Sequence, residues 1–137
     1  MTPQENKLLV RRFFDRAFVE HDLDAAAEML ARDYYLHDPS HPVFSGGPES
    51  FKDVQQEYEG AIQNHHLSIE DQLADGDKVI TRWTMTGRQC GDLPGIPNQG
   101  KNFLINGITI TRIDARGRIA EEWQVWDDAG LKRQLEA

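Results

Sequence analysis

Residues 67–86 read LSIEDQLADGDKVITRWTMT, and the spacing of apolar side chains in this stretch decides the class of fold. Leu67, Ile69 and Leu73 alternate with polar residues up to Asp75-Gly76, a pair that favours a tight hairpin turn because glycine tolerates positive φ. Val79, Thr81, Trp83 and Met85 then fall on one face of a return strand. The stretch predicts an antiparallel hairpin with one apolar face.

Downstream the period of two continues. A Gly/Pro-rich loop over 91–100 is followed by strands at about Phe103 to Ile113 and Arg118 to Trp126, joined by Asp114-Ala-Arg-Gly117. Upstream the period is helical. Thr2-Pro3-Gln4-Glu5 offers a capping hydroxyl, a proline at the first helical position and a glutamate three residues after the cap. Val10, Phe13, Phe14, Ala17 and Phe18 follow as one apolar stripe. A second helix is expected from Asp22 through Leu23, Ala26, Ala27 and Leu30. A third is expected from Gly47-Pro48-Glu49, with Phe51, Val54, Tyr58 and Ile62 on one face. Helices followed by a meander predict an α+β fold, the helices packed on one face of a curved, mostly antiparallel sheet. No repeat or linker interrupts 1–137, so a single domain is expected.

The chain has 137 residues, for which size scaling gives roughly 7,300 Å² of folded surface. Hydrophobic residues make up 39% and charged residues 28%, which places the chain among globular proteins rather than disordered ones. Fifteen Lys and Arg against 23 Asp and Glu leave a formal charge of −8. Such a surface repels phosphate backbones and anionic lipid, so neither nucleic acid nor a membrane is an expected partner. Residues 1–20 are too polar for a signal peptide, and the lone Cys90 suits a reducing, cytoplasmic setting.

The end of the last strand, Glu121-Glu-Trp-Gln-Val-Trp-Asp127-Asp128, is where chemistry is first expected. An uninterrupted period of two puts Ile119, Trp123, Val125 and Asp127 on one face. A carboxyl on an apolar face is costly to ionise, which suits a general acid or base. The plainer alternative is that Asp127 caps a short helix over Ala129 to Leu135.

Tyr34-Tyr35-Leu36-His37-Asp38-Pro39-Ser40-His41 holds the second candidate. His37 precedes a turn, and a His37–Asp127 pair would be competent for proton transfer. His37, Asp38 and His41 lack the spacing of a zinc motif, so no metal is expected. His65 and His66 should face opposite ways in a strand and are read as a solvated pair. Among the aromatics, Phe13, Phe14, Phe18, Tyr35, Phe51, Tyr58, Trp83, Trp123 and Trp126 could wall a flat apolar ligand as readily as fill a core. Phosphate loops, dinucleotide fingerprints and nucleophile elbows are absent.

Taken in order, several segments resemble the SnoaL-like polyketide cyclase family of the nuclear-transport-factor-2-like superfamily, over nearly the whole chain. They are Asn6-Lys7 with Val10-Arg-Arg-Phe-Phe14, His21-Asp-Leu-Asp24, His37-Asp38-Pro39, Asp75-Gly-Asp-Lys-Val79 with Arg82-Trp83, Gly95-Ile-Pro97 with Gly100-Lys101, and Gly117-Arg-Ile-Ala-Glu-Glu-Trp123 with Trp126-Asp127 and Gly130-Leu131. The resemblance implies a cone-shaped α+β barrel around one pocket, and a cofactor-free aldol closure with Asp127 as acid/base. It also implies supporting His and Asn residues, for which His37 and Asn106 are the candidates, a hydrophobic carbonyl-bearing substrate, and a homodimer. Phe14, Phe18, Tyr35, Phe51, Tyr58, Trp83 and Trp123 are the expected substrate wall. Dehydration or isomerisation by a His–Asp pair, or ligand binding and dimerisation without chemistry, are the alternatives on the same fold.

Overall fold

Thr2 opens the first helix as its spelling predicts. In the computed structural model, which describes residues 1–42 and 44–136, its hydroxyl accepts the Glu5 N–H at 3.1 Å and its N–H donates to the Glu5 carboxylate at 2.9 Å. Helix α1 (Pro3–Phe14) buries Val10, Phe13 and Phe14, then widens into a π-helical turn over Asp15–Val19. Such turns redirect side chains at the end of a helix.

Asp22 caps α2 (Leu23–Ala27) by accepting the Ala25 N–H at 3.1 Å. The expected run to Leu30 stops short, because Leu30 begins strand β1 (Leu30–His37). Tyr34 and Leu36 are buried there while Tyr35 and His37 are exposed, so a period of two replaces the helical one. The strand pairs in parallel with the end of the chain, Leu30 opposite Ile119. A contact 89 residues away in sequence overrides local propensity here.

Helix α3 (Gly47–Ala61) starts at the expected Gly-Pro-Glu and leads directly into the long meander. This consists of β2 (Ile62–Asp75), β3 (Lys78–Gln89), β4 (Asn102–Ile113) and β5 (Ile119–Trp126), and it ends in helix α4 (Asp128–Glu136). The sheet is five-stranded in the order β1-β5-β4-β3-β2, antiparallel except for β1–β5. The expected α+β, mostly antiparallel fold is the observed one. The folded surface is 7530 Å².

Bulges bend this sheet and shift its faces. Glu70 is an extra residue on β2 and Ala120 an extra residue on β5, each lying where the register slips. A slip of one residue sends everything beyond it to the opposite face. After Glu70, Leu73 is therefore 61% exposed in place of its expected inward position. After Ala120, Glu122, Gln124 and Trp126 turn toward the helices, while Trp123, Val125 and Asp127 turn away.

The core concentrates where α1, α3 and β1 meet. Phe13 and Phe51 lie 5.4 Å apart, and Tyr34 packs edge-on against Phe44 and Phe51. Glu122 is also buried there, its carboxylate accepting from the Tyr34 hydroxyl and the Thr111 hydroxyl, each at 2.7 Å. Helix α4 closes the other end of the sheet with Leu131 and Leu135 buried. The Gln134 side chain bonds both the N–H and the C=O of Leu104, beyond the last β4–β5 pair, in place of a neighbouring strand.

Candidate functional site

Past the end of β1 the sequence Asp38-Pro39-Ser40-His41 folds into a β-turn. His41 N–H donates to the Asp38 carbonyl at 2.8 Å, with proline at the second position where its fixed φ is favoured. The Asp38 carboxylate accepts the Ser40 N–H at 2.8 Å, a side-chain turn stacked on the backbone one. The two bonds fix the direction of His41, whose Nε2 lies 2.7 Å from the Tyr58 hydroxyl on α3. Burial pushes the Tyr58 hydroxyl well up from its ordinary value, helped by the negative charges of Asp38, Glu57 and Asp128. Tyr58 therefore stays protonated at neutral pH and can donate a hydrogen bond.

Asp38 itself is only 5% exposed. Its second oxygen accepts from Gln124 Nε2 at 3.0 Å and from Trp126 Nε1 at 3.2 Å. The Gln124 carbonyl in turn accepts from Thr109, whose oxygen accepts the Trp83 indole N–H, both at 3.0 Å. A chain of donors thus runs across β3, β4 and β5 and ends on Asp38. It fixes Trp83, Gln124 and Trp126, all of which wall the cavity between helices and sheet.

That cavity has about 810 Å³ of empty space, its open mouth included. Phe14, Phe18, Val54, Ile62, Leu67, Met85, Phe103, Ile105 and Leu131 make it largely apolar. One polar pole is the His41–Tyr58 pair beside Gln124. A second lies where α3 runs into β2, with Glu59 of α3 and His65 of β2 in the lining. The His21 ring sits 5.2 Å from that of His65, and its Nδ1 is 3.3 Å from Glu59.

Of the residues expected to form a substrate wall, Phe14, Phe18, Tyr58 and Trp83 line this cavity. The remaining expected residues lie elsewhere. Phe51 is packed between Phe13 and Tyr34. Tyr35, Asn106 and Trp123 belong to the face turned away from the cavity, where Asn106 accepts from the Thr84 hydroxyl at 3.0 Å. His37 is on that face too, stacked on Trp123 and 2.7 Å from Glu121. Its hydrogen bond holds the Glu121 carboxyl below the usual range, with help from Arg112.

Asp127 is exposed and caps α4, its Oδ1 accepting the Gly130 N–H at 2.8 Å. A Cβ on residue 130 would lie 2.1 Å from that carboxylate, so glycine leaves the cap its room. His37 and Asp127 are not joined, and neither lines the cavity. For Asp127 the cause is the Ala120 bulge, which an uninterrupted period of two does not contain, while His37 faces outward by the alternation of β1, in which Tyr34 and Leu36 are the buried residues.

Spacing does not single out Asp38, His41, His65 or Gln124 as a site, whereas Trp126 is among the aromatics named as a possible ligand wall. The signal for His41 was Asp-Pro-Ser-His, the spelling of a turn that returns a side chain to the chain before it. For His65 it was Asn64, a residue type that tolerates positive φ.

The model of the SnoaL-like polyketide cyclase family matches residues 8–135. No curated protein matches the chain. Among solved structures, TsrD from Streptomyces laurentii is 28% identical with a TM-score of 0.87, covering 98% of each chain. A candidate polyketide cyclase from Acidithiobacillus ferrooxidans is 27% identical with a TM-score of 0.84, covering 99% of this chain and 98% of its own. A candidate SnoaL-like polyketide cyclase from Jannaschia sp. CCS1 shares 20% identity, a likeness of fold, with a TM-score of 0.89 over 100% of this chain and 96% of its own. With the curved five-stranded sheet, the cavity between helices and sheet and a match over nearly every residue, the chain belongs to the SnoaL-like polyketide cyclase family.

Proposed function

We propose that the protein is an acid/base enzyme of the cyclase type, acting on an apolar, carbonyl-bearing small molecule with its own side chains. The observation that carries the proposal is the Tyr58–His41 pair, 2.7 Å apart at the wall of an otherwise apolar cavity. A hydroxyl that stays protonated is suited to bind a carbonyl oxygen and to stabilise the negative charge it gains on enolisation. With His41 Nε2–H donating to the Tyr58 oxygen, the Tyr58 O–H is directed toward the substrate.

Loss of a proton beside the carbonyl leaves an enolate. Its carbon attacks a second carbonyl of the same molecule, a carbon–carbon bond forms, and the new alkoxide takes up the proton. The cavity holds the two ends near each other and excludes water, which accounts for much of the rate in an intramolecular closure. Asp38 acts through Gln124 and Trp126 as a positioning residue, because its oxygens are occupied by their N–H groups and that of Ser40.

The exposed, capping position of Asp127 favours a second function, ligand binding without turnover. One assay separates the two. 1-Tetralone is an apolar bicyclic ketone, and Trp83 and Trp126 report its binding by fluorescence. Deuterium entering beside its carbonyl in heavy water, followed by NMR, reports enolisation. Binding with enzyme-dependent exchange is the expected result, and binding with no exchange above solvent background overturns the enzymatic assignment.

A further inference from the structure

We propose that Glu59 is the base of this cavity, the group that takes the proton beside the substrate carbonyl; the assignment rests on the acid/base function above. Val54 and Tyr58 form one row along α3 and Gln55 and Glu59 the next, and both rows line the cavity. Consecutive side chains on a helix diverge by about 100°. Tyr58 and Glu59 therefore meet the cavity at two separate points, carried by one stretch of backbone. One point suits the carbonyl oxygen and the other the carbon beside it.

Among the described residues, the titratable side chains that line the cavity are His41, Tyr58, Glu59 and His65. Tyr58 keeps its proton, and His41 Nε2 is committed to the Tyr58 oxygen. His65 lines the cavity while His66 is exposed, which divides the expected solvated pair. The His65 Nε2, however, is buried where no ligand reaches it. Glu59 differs from all three. Its side chain is 28% exposed, so the carboxylate is accessible, and only one of its oxygens is engaged. Oε1 lies 3.3 Å from His21 Nδ1, while the other oxygen has no hydrogen bond among the described residues.

The contact with His21 is built into the backbone. His21 has φ +56°, in the left-handed region that few non-glycine residues occupy, soon after the π-helical turn over Asp15–Val19. Strain of this kind persists where the surrounding structure holds a side chain in place. The His21 N–H donates to Oε1 and fixes the carboxylate, which makes His21 a positioning residue and leaves the second oxygen for a ligand. A carboxylate in the last turn of a helix also opposes the helix dipole, so the stability of α3 does not account for Glu59.

The step balances within the substrate and these side chains. The free oxygen of Glu59 takes the proton beside the carbonyl, and the C–H electron pair becomes the enolate, whose oxygen is held by the Tyr58 hydroxyl. After the carbon–carbon bond forms, the carboxylic acid returns its proton to the new alkoxide and Glu59 is a carboxylate again. Because the side chain reaches solvent, a proton taken from a simple ketone can be replaced by deuterium before it is returned.

Four proteins test this: wild type, Glu59→Gln, Glu59→Asp and Asp53→Asn, the last a control on an exposed carboxyl of α3 outside the lining. Each is titrated with 1-tetralone by tryptophan fluorescence and followed for deuterium uptake. The proposal predicts that Glu59→Gln binds within about threefold of wild type yet exchanges about 10²- to 10³-fold more slowly. Glu59→Asp, which keeps a carboxylate one methylene short, should exchange faster than Glu59→Gln and slower than wild type. Asp53→Asn should match wild type. Exchange at the wild-type rate in Glu59→Gln overturns the base assignment and leaves the enzymatic function standing. The same holds for an equal loss in Asp53→Asn, for loss of binding in Glu59→Gln, and for a Glu59→Asp rate no higher than that of Glu59→Gln. Absence of exchange in wild type overturns both. Should Glu59→Gln fold poorly, Glu59→Ala replaces it under the same criteria.

Discussion

Gly107 on β4 faces the indole of Trp83 on β3 with no space for a side chain: a Cβ on residue 107 would lie 2.2 Å from Cζ2 of the ring. The ring cannot give way freely, because its N–H is bonded to Thr109 at 3.0 Å. Gly107→Ala should therefore destabilise the fold by about 1–3 kcal/mol, the range for overpacking. It should also shift tryptophan emission, since Trp83 walls the cavity. Urea unfolding with emission spectra checks both, and an unchanged midpoint would mean that the indole has room to move.

Asp38 is the acceptor on which the donor chain ends. Asp38→Ala leaves the N–H groups of Gln124 and Trp126 without it, at a cost of about 1–3 kcal/mol for each group left buried and unpaired. Asp38→Asn keeps one acceptor oxygen and should lose less. Both should weaken binding of 1-tetralone, because two wall residues lose their anchor. Equal stability of the alanine variant and wild type would show that the network is not holding the wall.

The fold and the site differ in how far the sequence discloses them, and the difference has a physical source. Val79, Thr81 and Trp83 face the helices as the alternation in β3 predicts, because β3 carries no extra residue against β4. Thr2, Asp22 and Gly47-Pro48 mark helix starts where their local chemistry requires them. That Gln124 and Trp126 face inward in place of Trp123 and Asp127 is concealed by the insertion of Ala120 before them, and nothing in Ile-Ala-Glu-Glu announces that Ala120 is the extra residue. Register is decided by what the partner strand offers, here Ile113 and Arg112, which a local pattern does not contain. β1 was missed for the same reason, since its parallel partner lies at the other end of the chain.

Glu122 gives a pH signature to stability. Burial raises its pKa in the folded protein, against the opposing hydrogen bonds from Thr111 and Tyr34. A carboxyl with a raised folded pKa binds its proton more tightly in the native state, so its favourable contribution is complete below the unfolded value near 4.5. That contribution is lost as pH rises through the folded value. The stability of wild type relative to Glu122→Gln should accordingly fall as pH increases from about 4.5, read by urea unfolding across a pH series. A difference that rises with pH contradicts the assigned direction.

Asp127 and Gly130 form a cap, and cap chemistry sets what their variants do. Asp127→Ala should cost about 0.5–2 kcal/mol by leaving the Gly130 N–H unpaired. Asp127→Asn retains an acceptor and should be close to wild type in stability and in 1-tetralone exchange. A large loss of exchange in Asp127→Asn with the fold intact would return the acid/base role to the end of β5.

The most direct test of the central claim is the exchange rate of 1-tetralone in wild type and Tyr58→Phe. The variant removes one hydroxyl from the cavity wall and frees His41 Nε2. If Tyr58 holds the carbonyl oxygen as charge develops on it, exchange should fall by about 10²–10³, the loss seen when one such donor is removed, while tryptophan quenching still reports binding. Exchange at the wild-type rate in Tyr58→Phe would contradict the account.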